Sequence, residues 1–453
     1  MPYVKQKKRN FNSTAIISLS FLAVIAVGTI LLMMPFSSAE GNFTNPVTAF
    51  FTAVSATCVT GLVDVDTGTY WTTFGQLVIL AMIQVGGLGL ITFASFFAFM
   101  LNKKVELRSM QVASESVNTS GFYDVKYLVK SIVSISFACE LAGAILLMTS
   151  YVPKFGAKGI YISCYLAVTA FCNAGFDVLG MVDVPFSSVT SLSDDPITVI
   201  VIPLLIISGG LGFFVWNDVI NYKKNKHLAL QTKIVLLYTA VLIATGTLFT
   251  IILEWNNPST LGGHSFLYKL GNSFFNSVTL RTAGFNSIDI ASMTPLTKLI
   301  SIFYMFVGVA PGSTGGGIKI TTFAIVIMTV FSVITNKQDT IIMNRKIDKE
   351  LVYKSLAIIF IFIVIIMVSS VAITFMNENV AGLDAAFEIT SAISTTGLST
   401  GVTAQCGTFS KLLLCLIMFI GRVGPVSFAL SLSLKNAKQG KNEVYPEGRI
   451  MVG

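Results

Sequence analysis

A ten-residue stretch, Ala53 to Leu62 (AVSATCVTGL), returns in altered form as Ala167 to Phe176 (AVTAFCNAGF), Asn276 to Phe285 (NSVTLRTAGF) and Ile389 to Leu398 (ITSAISTTGL). Each copy is a short apolar run, then small or hydroxyl-bearing residues, then a glycine followed by Leu or Phe. The glycines Gly61, Gly175, Gly284 and Gly397 lie 114, 109 and 113 residues apart, close to a quarter of the 453-residue chain. Repetition at a fixed period means one structural unit used several times. The expectation is four units whose glycine-bearing segments meet on one axis.

With 53% hydrophobic and 11% charged residues and a mean hydropathy of +0.77, a water-soluble globule of this size has nowhere to hide its apolar surface. The composition is that of an integral membrane protein. A net charge of +8 raises nucleic acid as a partner, but the basic residues cluster between the repeats, so topology accounts for them. The run from Ser13 to Met34, behind Lys5, Lys7, Lys8 and Arg9, is too long for a signal-peptide core and reads as a retained first helix. Six cysteines without a CxxC pair and only two histidines, His227 and His264, give no zinc or redox motif.

Each quarter repeats one order: a long apolar run, a loop, the glycine stretch, then a second long run. First runs lie near 13–34, 128–150, 232–254 and 352–376, second runs near 76–101, 197–220, 299–334 and 411–434. Each suffices for a helix crossing roughly 30 Å of hydrocarbon, which takes about 20 residues. The fold class is therefore all-α, with eight transmembrane helices in four tandem repeats, at 1–127, 128–231, 232–351 and 352–453. The glycine stretches are too short to cross and read as re-entrant, buried in protein or lining an aqueous path. Start signals for their helices are Asn45 before Pro46 and Asp384 before AAFEI. Such a half-helix points its partially negative end at the axis, where a cation is favoured.

The N-terminus and segments 102–130, 220–233, 336–354 and 435–453 hold 22 of the 30 Lys and Arg residues, against six between the outer and inner helices of the repeats. The positive-inside bias puts both termini and the inter-repeat loops in the cytoplasm, and the glycine stretches enter from outside.

Glycine opens backbone angles closed to other residues, so successive carbonyls can turn inward and replace an ion's hydration shell. One such glycine is better explained by close helix packing; four at near-equal spacing are not. The motifs VTGL (59–62), CNAGF (172–176), RTAGFNS (281–287) and TTGL (395–398), each between an outer and an inner helix, resemble the Trk/Ktr/HKT superfamily of cation transporters over essentially the whole chain. Within it the chain looks like the membrane subunit of a bacterial Ktr-type potassium transporter. The resemblance implies a bacterial plasma-membrane protein for K+ uptake, channel-like, with Na+ as a candidate activator. It implies K+ on main-chain carbonyls of Val59, Thr60 and Gly61, of Asn173, Ala174 and Gly175, of Thr282, Ala283 and Gly284, and of Thr395, Thr396 and Gly397. Plant relatives with a serine at the first of these glycines prefer Na+, so Gly61 points to K+. The implied assembly is a homodimer on a cytosolic ring of RCK-type nucleotide-binding domains, with lipid around it and no nucleic acid. No cofactor or resident metal is implied for this chain, and no catalytic residue.

The third inner run is interrupted by VGVAPGSTGGGIK, Val307 to Lys319. Pro311 with Gly308, Gly312, Gly315, Gly316 and Gly317 excludes a continuous helix, so the backbone here has to line a cavity. The resemblance implies a gate under the filter, which Ser313, Thr314 and Lys319 complete. GSTGGGIK is no phosphate loop, since Ile318 separates Gly317 from Lys319 within an apolar span. Arg422, a lone cation in the last inner helix, is too deep for simple snorkelling; the expectation is that it faces the pore below the filter as a barrier to K+. Arg281 is expected to point away from the axis toward an acidic group, and Glu140 to serve a buried donor. Gly86, Gly209, Gly308 and Gly421 are expected to be matched features of the inner helices, allowing close packing or bending. A Na+-conducting relative is the first rival. An enzyme lacks a cluster of catalytic side chains in the spans, and a carrier with inverted repeats does not fit quarters that all run outer helix first.

Overall fold

The computed structural model describes residues 13–89 and 125–424. The expected cytoplasmic ends, at 1–12 and 425–453, and the segment 90–124 lie outside the described residues, as do the last parts of the first and fourth inner runs. The first quarter holds α1 (Ser13–Met33), α2 (Pro46–Cys58) and α3 (Thr73–Leu88); the second holds α4 (Val125–Phe155), α5 (Ala157–Phe171), α6 (Pro196–Gly210) and α7 (Phe213–Ile220). The third holds α8 (Leu230–Glu254), α9 (Phe266–Thr279), α10 (Pro295–Phe306) and α11 (Ile320–Ile334), and the fourth α12 (Lys349–Met376), α13 (Gly382–Ser394) and α14 (Thr408–Val423). The long helices α4, α8 and α12 begin two or three residues before the expected boundaries at 128, 232 and 352. A hairpin of Ile341–Ile342 and Arg345–Lys346, turning through left-handed Met343 and Asn344, joins α11 to α12 and has no counterpart in the sequence reading.

Local chemistry starts the helices where the chain re-enters. Asn45 caps α2 by accepting from Val47 N at 2.9 Å, with Pro46 in the first turn; Thr72, Asp195, Ser265 and Thr294 cap α3, α6, α9 and α10 in the same way. Each side-chain oxygen satisfies an amide that the helix cannot. Asp384 differs from its expected role: Ala381 occupies the cap, and Asp384 sits in the first turn of α13.

Among the described residues three helices, α8, α12 and Val129–Phe155 of α4, are long and apolar enough to cross a membrane, or four if the bent pair α6 and α7 is counted as one span. The remaining apolar helices among the described residues are shorter, and α3 and α14 end where the described residues end. Two inner runs are broken. The third is open from Val307 to Lys319, as Pro311 and its glycines require. The second, expected as one long run near 197–220 with packing or bending at its GGLG stretch, turns by 93° between α6 and α7. Gly212, at φ 85°, makes that turn, and the freed amide of Phe213 donates to Gly312 O at 3.0 Å.

The chain is inside out by the standard of a soluble protein. Phe360, Met367, Val371 and Phe375 of α12 are 65–88% exposed, which hydrocarbon accepts and water does not; the protein is a multi-pass membrane protein. The short helices α2, α5, α9 and α13 form the centre, each packed on the long helix before it. Each inner helix then packs on the short helix of the next quarter, α3 on α5, α6 on α9, α10 on α13 and α14 on α2, which closes the circle.

Candidate functional site: a glycine ring, an acidic vestibule and a latched loop

Every short helix ends in the same backbone sequence. Val59, Asn173, Thr282 and Thr395 are left-handed at φ 58°, 59°, 63° and 52°, and two residues later Gly61, Gly175, Gly284 and Gly397 are left-handed again at 95°, 67°, 82° and 86°. Non-glycine residues seldom hold such angles, least of all the β-branched Val59, Thr282 and Thr395. Alternating hand along a strand turns successive carbonyls toward one side, and four chains that do so around a point form a cage of main-chain oxygens.

The glycines form a closed ring in chain order. A Cβ on Gly61 would overlap Ala174 O; on Gly175 it would lie 2.9 Å from Ala283 O, and on Gly284 2.7 Å from Thr396 O. A Cβ on Gly397 would overlap Thr60 O and lie 2.9 Å from Gly61 Cα. Each glycine thus faces the carbonyl that precedes the glycine of the next quarter, and no side chain fits at any of the four. Thr60, Asn173, Ala174, Thr282, Ala283, Thr395 and Thr396 are fully buried.

Outside this ring lies a cavity of about 280 Å³ whose walls include all four glycines together with Asp66, Asp177, Asp289, Phe186 and Ser188. No Lys or Arg lines it. Five of the six cations expected on this side are engaged elsewhere: Lys154 with Asp195 at 3.4 Å, Lys298 with Asp384 at 2.9 Å and Lys411 with Asp64. Lys269 donates to Trp255 O at 2.8 Å, and Arg281 donates to Thr239 Oγ1 at 3.3 Å. Burial raises the Asp177 carboxyl to about 7 against the pull of the Leu179 amide, with the Asp66 carboxylate adding to the rise.

Arg281 points outward, to the outer helix α8, as expected, but its partner is a hydroxyl and not an acid; among the described residues it makes no ion pair. Glu140 of α4 accepts from Gln84 Nε2 at 3.0 Å; it serves a donor as expected, though Gln84 is half-buried rather than buried. Gly86, Gly209 and Gly421 press on the carbonyls of Thr57, Phe171 and Ile393, each four residues before a ring glycine. Gly308 departs from the pattern and faces Gly316 O at 2.6 Å from an added Cβ, because the third inner run is already broken there.

Beneath the ring the loop Val307–Lys319 touches three quarters at once. Gly316 N donates to Thr395 Oγ1 at 2.9 Å, Thr314 Oγ1 donates to Phe171 O at 3.2 Å, and a Cβ on Gly315 would overlap the hydroxyl of Thr282. Inside the loop Ser313 Oγ donates to Ala310 O at 2.6 Å, the carbonyl just before Pro311, and Lys319 Nζ to Gly315 O at 2.7 Å. Gly312 and Gly317, left-handed at 68° and 70°, make its turns. Arg422 joins it from α14, donating to Thr314 O and to Gly86 O and Gly87 O near the end of α3, the last at 3.3 Å. Those helix-end carbonyls carry the negative pole of α3 and suit a guanidinium.

The sequence reading missed Glu388. Fully buried in α13, it accepts from Ser399 Oγ at 2.9 Å, Thr403 N at 3.2 Å and Thr403 Oγ1, and so holds the segment that leaves Gly397. A carboxylate in the middle of the apolar run AAFEI was the signal for it. Glu254, at the end of α8, serves Thr260, Thr294 and Thr297 in the same manner.

The chain is 38% identical to the Ktr system potassium uptake protein B of Bacillus subtilis over 98% of this chain and 97% of that one. It is 35% identical to the potassium/sodium uptake protein NtpJ of Enterococcus hirae over 99% of both. The crystal structure of the potassium transporter TrkH from Vibrio parahaemolyticus, 14% identical, superposes with a TM-score of 0.72 over 96% of this chain and 88% of that one, and so shares its fold. Residues 3–444 match the TrkH model of cation transport proteins, and the chain, a transport protein and not an enzyme, belongs to that family.

Proposed function

We propose that this chain is the conducting subunit of a potassium uptake system, K+ passing from the outer vestibule through the carbonyls of residues 59–61, 173–175, 282–284 and 395–397. The observation that carries the reading is the ring itself: four glycines, each against the next quarter's carbonyl, with alternating backbone hand in all four strands. Four equivalent strands act as a pseudo-tetrameric pore within one chain. Vestibule acids without cationic partners supply K+ by raising its local concentration. The loop Val307–Lys319, pinned by Arg422, is the gate, since it lies under the ring and meets Thr395 and Thr282 of two strands and Phe171 just before a third.

Orientation follows from the basic residues, so both termini are cytoplasmic. The relatives named as parts of a Ktr system support an assembly with a further component, whose proposed form is a homodimer on a cytosolic nucleotide-binding RCK ring. The relative named for both potassium and sodium supports Na+ as activator, and it also keeps open the second reading, conduction of Na+ itself.

The test is tracer uptake of K+ and of Na+ into liposomes that hold this chain alone, each down its gradient. K+ entry without any other solute and in excess of Na+ is expected. If neither ion enters, uptake is repeated with an RCK ring bound. Absence of flux with the ring removes the reading, and Na+ flux above K+ selects the rival.

A further inference from the structure

The second quarter carries an insertion, MVDVPFSSVTSLSDDP at 181–196, that places Gly209 34 residues after Gly175 where the other quarters need 24 or 25. It crosses the mouth of the vestibule. Phe186 N donates to Asp66 Oδ1 of the first quarter at 2.8 Å. On the far side Val189 N donates to Asn286 O at 3.2 Å and Ser188 Oγ accepts from Asn286 N at 3.3 Å, both in the third quarter. The first and third quarters stand opposite each other in the ring, so the insertion is a strap over it. At its tip Phe186 is held at φ 63° and 54% exposed, and it lines both the vestibule and a neighbouring cavity of about 430 Å³.

The vestibule therefore combines an aromatic wall, a floor of main-chain carbonyls and three carboxylates. Asp66, Asp177 and Asp289 have only amide and hydroxyl donors as partners, and among the described residues none forms an ion pair. Nor do any three metal-ligating groups converge. A hard divalent ion, which needs six to eight oxygens, is not served by separated acids. A diffuse organic cation needs only a negative field and an aromatic face. About 280 Å³ is at the small end of ligand clefts, which span roughly 300–1,000 Å³, and admits a small ion of that class.

We propose that the outer vestibule binds a small quaternary ammonium cation against Phe186, within the field of Asp66, Asp177 and Asp289, and that the bound cation blocks entry to the glycine ring. The proposal rests on the transport reading above. The test is rubidium-tracer uptake in cells that accumulate rubidium only when the full chain is expressed, with tetraethylammonium outside and each variant normalised to its own unblocked rate. Wild-type uptake falls as tetraethylammonium is added. Phe186→Leu, which keeps bulk but loses the ring, raises the half-blocking concentration roughly tenfold, while Phe186→Tyr stays within about threefold of wild type. Absence of block, or equal block in all three, overturns the site while leaving transport intact; absence of rubidium uptake in wild type overturns the transport reading and the site together. Should Phe186→Leu fail to fold, Asp289→Asn decides: a rise of about threefold supports the site, and no change overturns it.

Discussion

The guanidinium of Arg422 donates to the carbonyl of Thr314, 108 residues away, and to Gly86 O on a third element. One side chain thereby ties the broken third inner run to the ends of α14 and α3. Hydrogen bonds from a charged donor contribute about 1.5–3 kcal/mol each, so the loss of even one shifts a closed-to-open equilibrium by roughly ten- to a hundredfold. Arg422→Gln is expected to speed tracer efflux from liposomes by at least about tenfold, with Arg422→Lys in between because an ammonium cannot span all the carbonyls. Equal rates in the three proteins would remove the latch from the gate.

Gly61 has no room for a side chain, since a Cβ overlaps Ala174 O and sits 3.1 Å from Gly175 Cα. Its φ of 95° is also closed to serine without strain. Gly61→Ser must displace the Ala174 carbonyl from the ring. The expected result is a fall of about tenfold or more in the ratio of K+ to Na+ flux, equivalent to roughly 1.4 kcal/mol of lost discrimination. Flux that is present but indifferent to this change would place selectivity elsewhere.

What the sequence disclosed followed from periodicity and from residues with few conformational options. The four glycines and the order of long and short apolar runs preceded any coordinate, as did the break at Pro311. The GGLG stretch at 209–212 allowed either close packing or a bend, and only the approach of Phe213 N to Gly312 O settles it as a turn. The roles of Glu388, marked only as a carboxylate in an apolar run, and of the strap were hidden for another reason. Their role depends on contacts made after the chain folds, Glu388 with Thr403 and Phe186 with Asp66, and no local pattern encodes a contact 120 residues away. Arg281 stood between these cases: its outward direction could be argued from cost, and its partner Thr239 could not.

Glu388 accepts from Thr403 N and Thr403 Oγ1, and it also takes the hydroxyl of Ser399. Glu388→Ala leaves these buried donors unmatched just beyond Gly397, at about 1–3 kcal/mol for each unsatisfied group. A lower unfolding temperature in detergent is expected, together with loss of K+ preference, because the strand of the fourth quarter loses its outer anchor. Glu388→Gln, which keeps one acceptor oxygen, should fall between. A stable, selective alanine variant would show that the ring holds its shape without this carboxylate.

Asp177 makes the vestibule sensitive to pH near neutrality. Its carboxyl is raised from 3.8 to about 7, first by burial and then by Asp66. Above that value the vestibule carries one more negative charge than below it, so K+ is drawn in more strongly at pH 8 than at pH 6. The half-saturating K+ concentration is expected to rise roughly two- to threefold on going from pH 8 to pH 6 at low salt, and Asp177→Asn should flatten that dependence. Stability runs the opposite way. The folded protein keeps a proton that the unfolded chain has released above 3.8, so the contribution of this group is full at acid pH and is lost as pH rises toward 7. Asp177→Asn should accordingly raise the unfolding temperature at pH 8 and leave it little changed near pH 4. A pH dependence of K+ affinity that survives in the asparagine variant would assign the titration to another group.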